Sequence, residues 1–226
     1  MASFILWLHG SGDSGPANES IKEHFTDPVF KSTKWGLPTA PSRPITVNRG
    51  AVMPAWFDVT DVPITSKSVR HDEEVLSAVK DVHSMIDKQI ANGINPNNVF
   101  VCGFSQGGAL AIASVLLHPR TLGGGIIFSG SMPLNPSIKE QVVPEATKTP
   151  ILWIHGTDDQ IVLFEAGESG CKFLQELGMS CEFKAYPGLG HSLMDDELEY
   201  FSSWLRSRLL SGGGVVQQKR GCCSQM

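Results

Sequence analysis

The residues with the clearest chemical potential lie in Gly103-Phe104-Ser105-Gln106-Gly107, a serine flanked by glycines two positions away on either side. The five residues before it, 98–102, are mostly apolar and predict a buried strand, and 109–117 predicts a buried helix. In a sharp strand-to-helix turn the glycines leave room for the backbone, and the serine oxygen stands exposed above the sheet edge. The pattern therefore predicts that Ser105 is a nucleophile; the competing interpretation is a Gly-rich turn with an incidental serine.

A serine hydroxyl is a poor nucleophile unless a base removes its proton and an acid orients that base. Three histidines follow Ser105, and His191 is favoured because it lies in a Gly-rich loop after the last predicted strand, "PGLGHSL". His118 is interpreted as a helix-capping residue and His155 as a packed or turn histidine. The acid is expected between serine and histidine. Both Asp158 and Asp159 fit, and their position alone does not choose between them.

A second Gly-rich turn follows the predicted strand 3–8, in the sequence "LWLHGSGDSG". Backbone N–H groups in such a turn, together with those at a helix N-terminus, can stabilise a developing oxyanion. The N–H groups of Ser11 and Gln106 are the predicted donors. The competing interpretation of the first segment is a simple turn.

The elements that must position these residues alternate between strands and helices. Short strands that are apolar on both faces predict a mostly parallel sheet with helices on both faces, an α/β fold. An apolar stripe through 75–90 predicts a long helix, and residues 33–57 predict a long loop with one short strand. We expect one catalytic domain over residues 1–210. The Gly- and Cys-containing segment 211–226 is expected to be a flexible tail.

The composition excludes several functional classes. The formal net charge is −5 and the chain has no basic stripe, so nucleic acid is not an expected partner. The histidines lack metal-ligand spacing, and no metal or cofactor is expected. The longest apolar run near the N-terminus is too short for a signal peptide or a membrane span. The odd number of cysteines, five, favours reduced thiols in a cytosolic or nuclear protein, and we expect a cytoplasmic one.

Five linked motifs resemble the acyl-protein thioesterase family, also called the lysophospholipase/carboxylesterase family, of α/β-hydrolases. They are "LHGSGDSG", "APSRPITVNRGAVMPAWFD", "GFSQGGALA", "HGTDDQIV" and "GLGHS", and the resemblance covers about residues 4–210. The resemblance implies the α/β-hydrolase fold, with Ser105 as nucleophile, Asp159 as acid and His191 as base. It also implies that Ser11 and Gln106 are the oxyanion donors.

The chain departs from the family pattern at three places. Ser11 stands where the family usually has a bulky apolar residue, and Gln160 stands where a proline is common. The family often has further residues before the strand that leads to His9, so one sheet edge is expected to be shorter. Of these, Ser11 is the departure expected to affect the acyl pocket.

Apolar residues in the loops at the expected active edge suggest an acyl-binding groove, although each could equally belong to the core. The candidates are Trp56, Phe57, Met132, Leu163 and Phe164. By resemblance, the substrates are S-palmitoylated proteins, lysophospholipids and small aryl esters. Two alternatives stay open: a general carboxylesterase of small metabolites, and a non-catalytic receptor or scaffold.

The segment from Lys219 to Met226 contains two basic residues and the adjacent cysteines Cys222 and Cys223. S-acylation of either cysteine would give marginal, reversible membrane binding, which the basic residues would strengthen. A minor membrane-associated fraction and transient contact with a membrane surface are therefore expected. A plain disordered tail is the competing interpretation.

Overall fold

The structure, a computed structural model, describes residues 2–211 and consists of an α/β sandwich. Six strands form one sheet, and the remaining two strands pair as a separate antiparallel hairpin. The strands are β1 (Ser3–Leu8), β2 (Thr33–Gly36), β3 (Ser42–Ile45), β4 (Ala51–Pro54), β5 (Val99–Phe104), β6 (Gly124–Phe128), β7 (Ile151–Gly156) and β8 (Cys181–Tyr186). The α-helices are α1 (Asp72–Ala91), α2 (Gln106–Leu117), α3 (Pro144–Thr147), α4 (Phe164–Glu176) and α5 (Asp195–Leu210).

The six-stranded sheet has the order β2-β1-β5-β6-β7-β8, and every pairing in it is parallel. Alternate side chains of the strands therefore enter two separate apolar clusters. One cluster packs against α1, α2 and α4, and the other packs against α5 and the segment 16–30. The predicted α/β fold, with a mostly parallel sheet and helices on both faces, is confirmed.

The predicted long loop over residues 33–57 is wrong in detail, because this segment contains three strands. β2 extends the sheet beside β1, while β3 and β4 pair with each other around a 3₁₀ turn, Thr46–Asn48. Each strand has only four residues, and Pro44 and Pro54 interrupt the pattern. Such short, partly exposed strands carry too little hydrophobic periodicity to be recognised in the sequence.

The predicted tail, with Cys222 and Cys223, lies outside the described residues from position 212 onward, so the domain boundary at residue 210 stays a prediction. None of the helices between residues 2 and 211 combines the length and the hydropathy that a bilayer crossing requires.

A buried carboxyl group joins α5 to the loop before it. Glu197 is fully buried, and its Oε2 accepts a hydrogen bond from the Met194 N–H at 2.8 Å. Its other oxygen, Oε1, has no hydrogen-bond partner among the described residues. Burial raises the pKa of Glu197 to about 7, although the Met194 N–H opposes this shift. The loop that Glu197 holds is the one that carries His191.

We predict that Glu197→Gln makes the stability of the protein less dependent on pH. The pKa of Glu197 is higher in the folded protein than in the unfolded chain, so its stabilising contribution is complete below about pH 4.5 and is lost as the pH rises through about 7. From pH 5 to 8 the wild type should lose on the order of 2 kcal/mol relative to the variant, measured by urea unfolding. Glu199→Gln, at an exposed position of the same helix, is the control and should follow the wild type. Parallel curves for Glu197→Gln and the wild type would contradict the prediction.

Candidate active site

The turn that carries Ser105 joins β5 directly to α2. Ser105 has φ 55° and ψ −119°, a region that non-glycine residues rarely occupy, and its N–H donates to the Phe128 carbonyl at 2.8 Å. A Cβ at Gly103 would lie 2.4 Å from the Gly107 carbonyl atoms, and one at Gly107 would lie 1.9 Å from the Leu8 oxygen. The glycines of the motif are thus required by the close approach of three backbone segments.

Ser105, His191 and Asp159 form a continuous chain of hydrogen bonds. His191 Nε2 lies 2.9 Å from Ser105 Oγ, and His191 Nδ1 lies 2.7 Å from Asp159 Oδ2. Because an ionised carboxylate only accepts, Nδ1 carries the ring proton and Nε2 is free to accept the serine proton. The Phe104 ring packs on the imidazole with its centroid 4.8 Å away.

The structure chooses between the two aspartates that the spacing left open. Asp158 is exposed and accepts a hydrogen bond from the Thr157 hydroxyl, whereas Asp159 is buried and reaches His191. Asp159 Oδ1 also accepts the N–H groups of Ile161 and Val162, at 2.8 and 2.9 Å.

The pKa of the Asp159 carboxyl lies well below its usual range. Burial alone would raise this pKa, but it is outweighed by the neighbouring His155 imidazole, the hydrogen bond from His191, the charge of protonated His191 and the Ile161 N–H. The carboxyl group is therefore ionised throughout the neutral pH range.

The other two histidines that follow Ser105 lie away from the serine hydroxyl. His118 is buried after α2, where its Nε2 lies 3.3 Å from Asp87 Oδ1. His155 is fully buried at the end of β7, and its Nε2 lies 2.8 Å from the Val162 carbonyl oxygen. The interpretation of His155 as a packed histidine agrees with this position.

The predicted oxyanion donors flank the serine. Gln106 is the first residue of α2, and Ser11 belongs to the turn after β1 and lines the same cavity. Among residues 2–211, neither backbone N–H has a protein acceptor. The Gln106 side chain accepts from the Trp56 N–H at 2.9 Å and donates to the Phe57 carbonyl at 2.7 Å, so it fixes a neighbouring loop while its backbone N–H stays available.

A cavity of about 450 Å³ opens beside Ser105 and His191. Its lining is mainly apolar and includes Ile45, Val47, Phe57, Val59, Ile64 and Met132. Most of these residues come from the segment 45–64, which wraps over the carboxyl end of the sheet. A cavity of this size and polarity suits an acyl group.

The structure places two of the five predicted groove residues, Phe57 and Met132, in the cavity wall and the other three outside it. Trp56 is buried, and its indole N–H donates to the His9 carbonyl at 2.9 Å. Phe164 packs edge-on against His155 and Phe183. Leu163, at the N-terminus of α4, donates its N–H to the Ile64 carbonyl. Trp56 therefore belongs to the buried core, whereas Leu163 and Phe164 are partly exposed, and a role for these three residues in substrate binding stays a prediction.

Sequence reasoning missed most of the cavity wall because its residues lie in the predicted loop 33–57 or in the residues just after it, for which no element was predicted. The alternation in "ITV" and "DVTDVPI" was the available signal, with apolar residues at positions 45, 47, 59, 62 and 64. Among the described residues, no cluster of three or more His, Cys, Asp or Glu side chains is arranged to hold a metal ion.

The profile of the phospholipase/carboxylesterase family matches residues 1–209. A probable carboxylesterase, SOBER1-like, from Arabidopsis thaliana is 59% identical over 92% of this chain and 80% of its own length. The crystal structure of Arabidopsis thaliana SOBER1 is 56% identical, with a TM-score of 0.91, covering 92% of this chain and all of that one.

A more distant relative is named acyl-protein thioesterase 1, from Cryptococcus neoformans. It is 33% identical over 91% of this chain and 92% of its own length. The family resemblance seen in the five motifs is thereby confirmed along nearly the whole chain, and we conclude that the chain belongs to the phospholipase/carboxylesterase family of α/β-hydrolases.

Proposed function

We propose that the protein is a serine hydrolase that cleaves acyl esters and thioesters through a covalent acyl-enzyme. The observation that carries the proposal is the hydrogen-bonded chain from Ser105 through His191 to the buried carboxylate of Asp159, which opens on an apolar cavity. This arrangement pairs a nucleophile with a base and the base with an orienting acid.

In the first half-reaction, His191 Nε2 takes the Ser105 proton as Oγ attacks the acyl carbonyl carbon. The carbonyl π electrons move to the oxygen, and the N–H groups of Ser11 and Gln106 stabilise the resulting oxyanion. The tetrahedral intermediate collapses, the bond to the alcohol or thiol breaks, and His191 returns the proton to the leaving group. Asp159 stabilises the imidazolium without taking its proton.

In the second half-reaction, His191 removes a proton from water, and the hydroxide oxygen attacks the acyl-enzyme. Collapse of the second tetrahedral intermediate releases the carboxylic acid and returns the proton to Ser105 Oγ. The same catalytic residues can displace either an alcohol or a thiol from the acyl group, and a thiolate leaves readily. Esters and thioesters are therefore both suitable substrates for the same site.

The substrate we favour is an ester or thioester of an apolar acyl chain. Support comes from the apolar cavity wall and from the carboxylesterase names of relatives that are 54–59% identical. Hydrolysis of S-acylated proteins is a second candidate, which the acyl-protein thioesterase relative and the apolar wall favour. A non-catalytic scaffold is disfavoured because the nucleophile, base and acid are all present and in contact.

We predict that the protein hydrolyses p-nitrophenyl esters and acyl-CoA thioesters and that Ser105→Ala removes this activity. A series of substrates with acyl chains from C2 to C16 measures which acyl groups the cavity accepts. A palmitoylated peptide tests the hydrolysis of S-acylated proteins. A fluorophosphonate should label the wild type stoichiometrically at Ser105. Labelling at another residue, or undiminished turnover by a folded Ser105→Ala protein, would contradict the proposed function.

We also predict that substituting the two neighbouring aspartates has very different effects on turnover. Asp159→Asn should lower kcat by about 10³- to 10⁴-fold, because an amide donates toward Nδ1 and favours the wrong imidazole tautomer. Asp158→Asn changes the same type of side chain at an exposed position and should keep kcat within about 2-fold. Steady-state kinetics on one ester, with melting curves for both variants, make the comparison. Equal losses in two folded variants would show that Asp159 has no special role.

A further inference from the structure

The carboxylate of Asp159 faces two histidines. Its Oδ2 lies 2.7 Å from His191 Nδ1 and 3.5 Å from His155 Nε2, and the side chains of Asp159 and His155 are both fully buried. Since Oδ1 is occupied by the Ile161 and Val162 N–H groups, the two imidazole rings meet at the remaining oxygen.

The protonation of His155 follows from its contacts. Nε2 lies 2.8 Å from the Val162 carbonyl oxygen, and a carbonyl only accepts, so Nε2 carries a proton. The second nitrogen, Nδ1, is buried and has no partner within residues 2–211. A proton there would be an unsatisfied buried donor on a cation, so the neutral Nε2–H form fits the site.

The ring of His155 is also held by packing. A Cβ at Gly167 would lie 2.4 Å from His155 Nδ1, so α4 has a glycine where the imidazole needs room. The Phe164 ring meets the imidazole edge-on, with centroids 5.9 Å apart. Because the ring is fixed between α4 and β7, the direction of its Nε2–H is fixed as well.

We propose that His155 is a positioning residue for the catalytic acid, an inference that rests on the proposed function. The His155 Nε2–H donates to the Val162 carbonyl, and the backbone N–H of Val162 donates to Asp159 Oδ1. The positive edge of the ring also faces Oδ2. His155 thereby fixes the plane of the carboxylate, and with it the orientation of His191 toward Ser105.

The test compares His155→Gln with His155→Met. Glutamine can place an N–H donor near the position of Nε2, and methionine matches its length without a donor. Because His155 does not line the cavity, the Met variant should lose about 10- to 100-fold in kcat while KM for a small aryl ester stays within about 2-fold. The Gln variant should recover most of this loss.

Melting temperatures of both variants and the activity of Ser105→Ala are measured alongside. Inactive wild-type protein, or an active Ser105→Ala variant, would refute the proposed function itself. Active wild type together with wild-type kcat in His155→Met would refute the positioning role alone. Equal loss in two folded variants would also refute it, because only packing would then matter.

A measurement on the wild-type protein keeps the test valid if neither variant folds. Histidine labelled with ¹⁵N distinguishes the two neutral tautomers and the cation by chemical shift. His155 is expected to carry its ring proton on Nε2, with slow exchange of that proton. An Nδ1–H tautomer, with Nε2 unprotonated, would overturn the proposal.

Discussion

The active site depends on one close approach, in which the first turn of α2 lies against the end of β1. The Gly107 backbone lies so near the Leu8 carbonyl that any side chain would collide with it. This contact brings the turn containing Ser11 beside the N-terminus of α2, where the Gln106 N–H is unpaired within the described chain. The proposed nucleophile and both proposed oxyanion donors are thus placed by a single backbone crossing.

The proposed acid, Asp159, and the proposed base, His191, reach Ser105 from strands on the side of β5 opposite to β1. β7 and β8 lie two and three positions from β5, so the loops after them must cross the carboxyl edge to meet Ser105. The Asp159 turn is closed by its own carboxylate, through Ile161 and Val162, and the His191 loop is held by Glu197 at the start of α5. Both loops are therefore fixed by buried carboxyl groups, one ionised at neutral pH and one with a pKa of about 7.

The sequence predicted the parts of the site that depend on short local patterns, such as apolar runs and the glycine-flanked serine. The buried strand β1 was recognised over its full length, and the strand-to-helix context identified Ser105. The choice of Asp159 over Asp158 required either family resemblance or coordinates, because adjacent residues in one turn differ only in which way the backbone directs them.

The cavity wall was less predictable for a different reason. Trp56 and Phe57 are neighbours, yet only Phe57 lines the cavity, while Trp56 supports the loop through the His9 carbonyl. An apolar residue near an active edge can serve the core or the substrate, and composition does not distinguish these roles. The hairpin of β3 and β4 was missed because its strands are short and contain prolines.

The wall of the proposed acyl cavity and the turn that holds Asp159 are joined by backbone hydrogen bonds. The Ile64 N–H donates to the Ile161 carbonyl at 2.7 Å, and the Leu163 N–H donates to the Ile64 carbonyl at 2.9 Å. Ile64 lines the cavity, and the turn it joins contains the Val162 N–H that holds Asp159. A displacement of the wall at Ile64 would therefore reach the Asp159 carboxylate through the Ile161–Val162 peptide group and the two hydrogen bonds that flank it. Substitutions at Ile64 that enlarge the cavity act on a segment that also supports the acid, so their effects on acyl preference and on turnover are physically linked.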